Sequence, residues 1–222
     1  MLLAEEWDVL WLSMRVGVLC VLISLPPAVF LGWVLARGKF RGKVLLDGIC
    51  HLPLVLPPVV TGYGLLVLFG RRGILGGFLE TFGVQIAFTW KGAVLAASVV
   101  GFPLMLRSIR LAIEGVDVRL ERAARTLGAG RLRTFFTVTL PLAFPGLLVG
   151  ALLTFARSLG EFGATITFVS NIAGETRTLP LAIFTFLNRP DGDAGATRLA
   201  VISVLISFLA LVGSEWVTRR RK

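Results

Sequence analysis

The chain has 222 residues, of which 55% are hydrophobic and only 16% charged, and it carries a net charge of +10. A soluble domain of this size carries about 25% charged residues, so the balance excludes a water-exposed globule and makes a bilayer the expected solvent. The same apolar content excludes disorder, and two cysteines with no glycine period exclude a disulfide scaffold or a collagen-like chain.

A hydrocarbon core about 30 Å thick calls for roughly 20 apolar residues of helix. Five stretches meet that need and predict spans at about 11–36, 48–70, 84–106, 134–160 and 199–217. In the first, Val16 to Ala36 is free of charge, and Glu5, Glu6 and Asp8 precede it where a secretory signal would be basic. That span is read as a retained helix. The second holds only His51 as a possible charge, and the third is interrupted by Lys91 alone near its start. The fourth is charge-free from Thr134 to Ala156, and the fifth carries Glu215 near its end. A shorter apolar piece, Leu179 to Leu187, has about half the required length and reads as an interfacial or re-entrant helix. Open sheets would leave edge groups unpaired in lipid, so the expected class is all-α: one polytopic membrane domain over 1–222.

Sorting the 23 Lys and Arg by segment gives the orientation. Fifteen fall in the connection after the first span, between Arg107 and Arg133, and at the C-terminus from Arg219. Six fall on the opposite side, while Arg15 and Arg157 lie within or beside spans. The positive-inside rule then places the C-terminus in the cytoplasm and, with five spans, the N-terminus outside. The net charge is topological and gives no support to nucleic-acid binding.

The second span contains Pro53, Pro57 and Pro58, so its helix must kink or start afresh near Pro57. Broken backbone at membrane depth is tolerated where it is buried in protein or lines a wet cavity. Two readings stand side by side: a packing kink, or a polar pathway near Pro57, Pro58 and Thr61. Pro103 and Pro145 add kinks of the same double meaning. In the fourth span Arg157 and Glu161 are four apart, on one helical face where they can pair, with Ser158 beside them. Intramembrane ionisable residues are functional candidates by default, and this pair reads as a gate or as a structural ion pair near the outer interface.

Absences narrow the chemistry further. No P-loop is present, since Gly38-Lys39 is followed by Phe40, and His51 is the only histidine. Cys20 and Cys50 sit in apolar spans as small hydrophobes. An active site has almost no side chains to be built from, so the chain is expected to be non-catalytic and to hold no cofactor or metal of its own.

Between the third and fourth spans, about 114–133, Val116, Leu120, Ala123, Ala124 and Leu127 recur at helical spacing opposite Asp117, Arg119, Arg122 and Arg125. A short amphipathic helix is expected there, ended at Gly128 by a left-handed turn. Its apolar face suits a partner protein, and its arginines suit an anionic lipid surface.

The segment Arg122-Ala-Ala-Arg-Thr-Leu-Gly128, nine residues, then Val138-Thr-Leu-Pro141 resembles the "EAA" loop of ABC importer permeases. Arg122 stands where that pattern has Glu, with Glu121 one residue earlier, and Val138 stands where it has Ile. Phe155-Ala-Arg-Ser-Leu-Gly-Glu-Phe-Gly163, Leu52-Pro-Leu-Val-Leu-Pro-Pro58 and Phe168 to Pro180 are similar to the sulfate/molybdate branch, and most closely to molybdate permeases. Sulfate and thiosulfate permeases share several of these features but are typically longer. The resemblance implies a type I ABC importer permease fold acting on molybdate or tungstate, with sulfate or thiosulfate as the alternative. It implies a second copy of the chain, two ATP-binding subunits carrying ATP and Mg, and an extracytoplasmic oxyanion-binding protein, all at a prokaryotic inner membrane. It assigns ATPase coupling to Glu121, Arg122, Ala123, Ala124, Leu127 and Gly128. An ATP-independent channel or secondary transporter would need no such loop.

Overall fold

The computed structural model describes residues 4–219, and every regular element among them is helical. Helix α1 (Ala4–Arg37) is followed by α2 (Lys43–Val55), α3 (Pro58–Phe69), α4 (Ile74–Glu80) and α5 (Trp90–Glu114). The basic segment after α5 forms α6 (Val118–Thr126) and α7 (Arg131–Thr134), and a π-helical segment (Phe135–Thr139) leads into α8 (Leu140–Leu159). Then come α9 (Gly163–Val169), α10 (Leu179–Leu187) and α11 (Asp193–Arg219). The side chains of the final basic cluster, 219–222, lie outside what is described.

Four helices are long and apolar enough to cross a membrane: α1, α5, the continuous stretch Arg131–Leu159, and α11. The stretch expected as a second span is α2 and α3, bent against each other by 111°, and it makes a fifth apolar span if the pair is taken as one. Proline is the cause: Pro57 caps α3 with extended backbone and Pro58 takes its first turn, where a missing N–H costs nothing. The same residue type is tolerated inside helices elsewhere, since Pro26 and Pro27 lie within α1, Pro103 within α5 and Pro145 within α8. Boundaries also differ from the hydropathy reading. Residues 84–89 are a connection, and α5 runs on through Arg107 and Arg110 to Glu114.

Helix α5 is the hub. Its first half packs with Val16 and Cys20 of α1, Leu65 of α3 and Phe168 of α9. Its second half packs Met105, Ile109 and Ile113 against Ala28 of α1 and Ala143 and Leu147 of α8. A third cluster joins Val9 and Leu10 of α1 to Leu179 and Phe186 of α10 and Leu199 of α11. Lipid supplies no hydrophobic drive between helices, so close backbone approach has to hold them. Gly146 of α8 leaves no room for a side chain because Ala112 of α5 stands against it, and Ser108 Oγ donates across the same contact to Gly146 O at 2.9 Å.

Candidate functional site: coupling helix and helix-break junction

Helix α6 begins where Asp117 accepts a hydrogen bond from Arg119 N at 2.8 Å, an N-cap at the positive end of the helix dipole. It ends as the sequence predicts: Gly128 has φ +88, a left-handed conformation that costs glycine nothing. Glu121 is the one buried residue of α6. Its Oε1 accepts from Arg37 Nε at 3.1 Å, Arg37 Nη2 at 3.0 Å and Thr139 Oγ1 at 2.9 Å. Arg37 Nη2 also donates to Val116 O at 2.8 Å.

This arrangement splits the apolar face expected from the spacing. Val116 turns into the core with Ile113 and Ala143, whereas Leu120, Ala123 and Leu127 face outward, Leu127 being 89% exposed. Ala124 is half-buried, and Arg122 and Gly128 are exposed. The two candidates for the acidic position are thereby told apart: Glu121 is engaged inside the chain, and Arg122 is the residue presented outside. Spacing missed Arg37 and Thr139, because nothing local links residue 37 to residue 121; only the basic end of α1 hinted at it. At the same end Arg110 pairs with Asp47 at 2.9 Å and with Glu114 at 2.8 Å, and His51 lies 3.3 Å from Asp47. These ties fasten α2 to α5.

The other predicted residues meet at a second place. The start of α3 lies against the start of α9: a side chain on Gly62 would stand 2.6 Å from Ala164 O, and one on Gly163 would stand 2.8 Å from Pro58 Cβ. Pro57, Pro58 and Thr61 therefore adjoin the turn that holds Glu161. Thr61 is buried, and its hydroxyl has no hydrogen-bond partner among the described residues. Glu161 does not share a helical face with Arg157, because α8 stops at Leu159 and Gly160 caps it. The pair instead bridges two helices. Glu161 Oε1 accepts from Ala164 N of α9 at 2.8 Å, and Oε2 lies 2.8 Å from Arg157 Nη2, held by charge without an aligned hydrogen bond. Glu161 is 3% exposed, and the Arg157 side chain 31%. Ser158 is buried against Gly17 of α1 and donates to Phe155 O at 2.6 Å.

At the end where α1 begins, Arg177 Nη1 meets Glu5 at 2.6 Å, Arg198 Nη2 meets Glu6 at 2.7 Å, and Arg177 Nε donates to Asn171 Oδ1 at 3.0 Å. Asn171 in turn donates to Thr185 Oγ1 at 2.7 Å. The loop 170–178 is thus tied to α1 and α10, and α11 is tied to α1 through Arg198 and Glu6.

The chain matches the family described as "Binding-protein-dependent transport system inner membrane component" over residues 28–222. It is 61% identical over 215 residues to the molybdenum transport system permease protein ModB of Escherichia coli (strain K12), covering 96% of this chain and 94% of the relative. The ModB of Haemophilus influenzae is 55% identical over 210 residues, covering 94% and 92%. The sulfate transport system permease protein CysT of Salmonella typhimurium is 36% identical over 217 residues, covering 94% of this chain and 78% of the relative. Among solved structures, a bacterial alginate ABC transporter matches with TM-score 0.75 at 17% identity, covering 98% of this chain and 80% of that one. The MetNI methionine ABC transporter matches with TM-score 0.71 at 18% identity, covering 98% and 94%. The distant identities speak for the fold alone.

Proposed function

The chain belongs to the family of binding-protein-dependent transport system inner membrane components, and from that premise we propose that it is the permease subunit of an ATP-driven importer of molybdate, with tungstate as a second cargo. Identity carries the cargo: 61% to the molybdenum permease against 36% to the sulfate permease. The outward-facing apolar residues of α6 carry the ATP dependence, because Leu120, Ala123 and Leu127 are exposed and sit among exposed arginines.

In this reading two copies of the chain form the pore, and each α6 docks in a groove of an ATP-binding subunit through Arg122, Ala123, Leu127 and the Gly128 turn. Ala124 allows close approach. ATP and Mg are held by those subunits and none by this chain. ATP binding draws the subunits together, the coupling helices follow, and the pore opens outward to an extracytoplasmic protein that releases the oxyanion. Hydrolysis restores the inward-facing state. The coupling is thermodynamic: nucleotide at one end and loaded binding protein at the other bias the same two-state element. The positive-inside rule sets α6 in the cytoplasm and Glu5 and Glu6 outside, and these groups do lie at opposite ends of α1.

The junction of α3 with α9 supplies the pathway. A transport site must release its cargo, so it should bind weakly, and the hydroxyls of Thr61 and Ser158 with the Arg157–Glu161 pair suit a gate better than a cage. Pro57 and Pro58 supply the break that the gate needs. Cysteine substitution at Thr61 and Ser158 should give labelling by water-soluble probes in one nucleotide state; protection in both states removes them from the pathway.

The deciding experiment is reconstitution of the complex with its ATP-binding subunits and binding protein. Molybdate-loaded binding protein should stimulate ATP hydrolysis, and stimulation by sulfate alone would overturn the cargo. Uptake that proceeds without ATP would instead favour a channel or secondary transporter.

A further inference from the structure

Helix α6 meets the rest of the chain through very little. It lies against α7 and the π-helical segment, and Glu121 is its one buried residue. Around that carboxylate three separate elements converge. Arg37 is the last residue of α1, and its guanidinium fork closes on Glu121 Oε1 with Nε and Nη2 while Nη2 also holds Val116 O, just ahead of the α6 cap. Thr139 is the last residue of the π-helical segment Phe135–Thr139, through which the chain enters α8. The ring of Trp33, one turn back on α1, packs edge-on against Phe135 of the same segment at 5.5 Å.

We propose that Glu121 is the mechanical joint of this subunit: its buried carboxylate, held by Arg37 and Thr139, passes displacement of α6 to α1 and α8 and makes no contact with the ATP-binding subunit. This rests on the docking of α6 set out above and deepens it.

Three physical points support the joint. Charge-assisted hydrogen bonds are shorter and stronger than neutral ones, so they keep their geometry under a load that lets apolar contacts slide. The planar guanidinium fixes direction as well as distance, which a lysine at the same place would not. The element that receives the motion is a π segment, a winding that recurs at functional sites and that can shift its register without losing every backbone bond. Glu121 also lies in the first turn of α6, where the helix dipole favours a carboxylate, so the joint costs α6 nothing.

The test uses the complete complex in liposomes and follows three quantities: ATP-binding subunits retained, ATP hydrolysed, and anion taken up. Glu121→Gln and Arg37→Lys should keep the ATP-binding subunits attached while uptake per ATP hydrolysed falls about tenfold, the size of a typical coupling between sites. Thr139→Val, which leaves the ion pair intact, should lower the same ratio about threefold. A role in structure alone would lower the amount of complex and leave this ratio unchanged. An unchanged ratio in all three variants overturns the joint. So does loss of the ATP-binding subunits from Glu121→Gln protein that still reaches the membrane, since Glu121 would then be a docking contact. If Glu121→Gln does not accumulate, Arg37→Lys and Thr139→Val decide by the same ratio. Failure of the docking reading looks different: the unaltered chain would hold no ATP-binding subunit, and Ala123→Asp would change nothing.

Discussion

Glutamate and arginine meet at both ends of this bundle, and the two ends differ in what is left over. Where α1 begins, Glu5 is taken up by Arg177, and Glu6, fully buried, by Arg198, with Arg189 3.6 Å from Glu5. Where α1 ends, Glu121 is consumed in the same way by Arg37, but Arg119, Arg122 and Arg125 remain exposed around Leu120 and Leu127. The first end is closed upon itself: its charges anchor the loop 170–178 and α11 to α1. The second pairs Arg37 with Glu121 and Arg110 with Asp47 and Glu114, and it presents Arg119, Arg122 and Arg125. A count of charges ranks the ends by number alone, whereas pairing separates an anchored surface from one whose arginines stay exposed.

If that contrast is sound, substitutions at the two ends should fail in different assays. Ala123→Asp should have the largest effect, because it sets an unpaired charge in a desolvated contact. Attachment of the ATP-binding subunits should weaken about thirtyfold or more, with the melting temperature of the isolated permease unchanged. Co-purification checks the first and thermal unfolding in detergent the second. At the other end Arg198→Ala should do the reverse. It strips a buried carboxylate of a counter-charge and should cost about 2–3 kcal/mol, below the figure for a fully buried pair because Arg198 is partly solvated, while attachment survives. A lowered melting temperature with intact co-purification is the expected result. Gly62→Ala probes the junction between the ends: its new methyl would press on Ala164 and should cost about 1–2 kcal/mol, again read as a lowered melting temperature. Arg125→Gln should be mildest, within about 0.5 kcal/mol in stability. A large destabilisation by Arg125→Gln would show that the surface of α6 is already occupied within the chain, and the contrast would collapse.

How much of this was legible beforehand depends on how local the signal is. The left-handed turn at Gly128 was readable because one residue type dominates that conformation, and the break at Pro57 because proline cannot donate. The pairing of Arg157 with Glu161 was readable from a separation of four, although its reason was not: the helix has ended, and the carboxylate caps the next one. Glu121 was the ambiguous case. Its neighbour Arg122 occupied the expected acidic position, and only burial shows which of the two faces the bundle. Glu5 and Glu6 were read merely as a departure from a signal peptide, since their partners lie some 170 or more residues away in sequence.

The sequence by itself determined the class, the number of apolar runs that seek lipid, the helix breaks and the family, because hydropathy, proline and a fixed motif spacing act over short stretches of chain. The tertiary structure alone decided that the two halves of the second apolar run are bent by 111°, that the breaks at Pro57 and Gly163 touch, and that Glu121 belongs to the inside. Those outcomes depend on which distant groups a fold brings within hydrogen-bond reach, and an ion pair between residues 37 and 121 leaves no periodic trace in the chain that makes it.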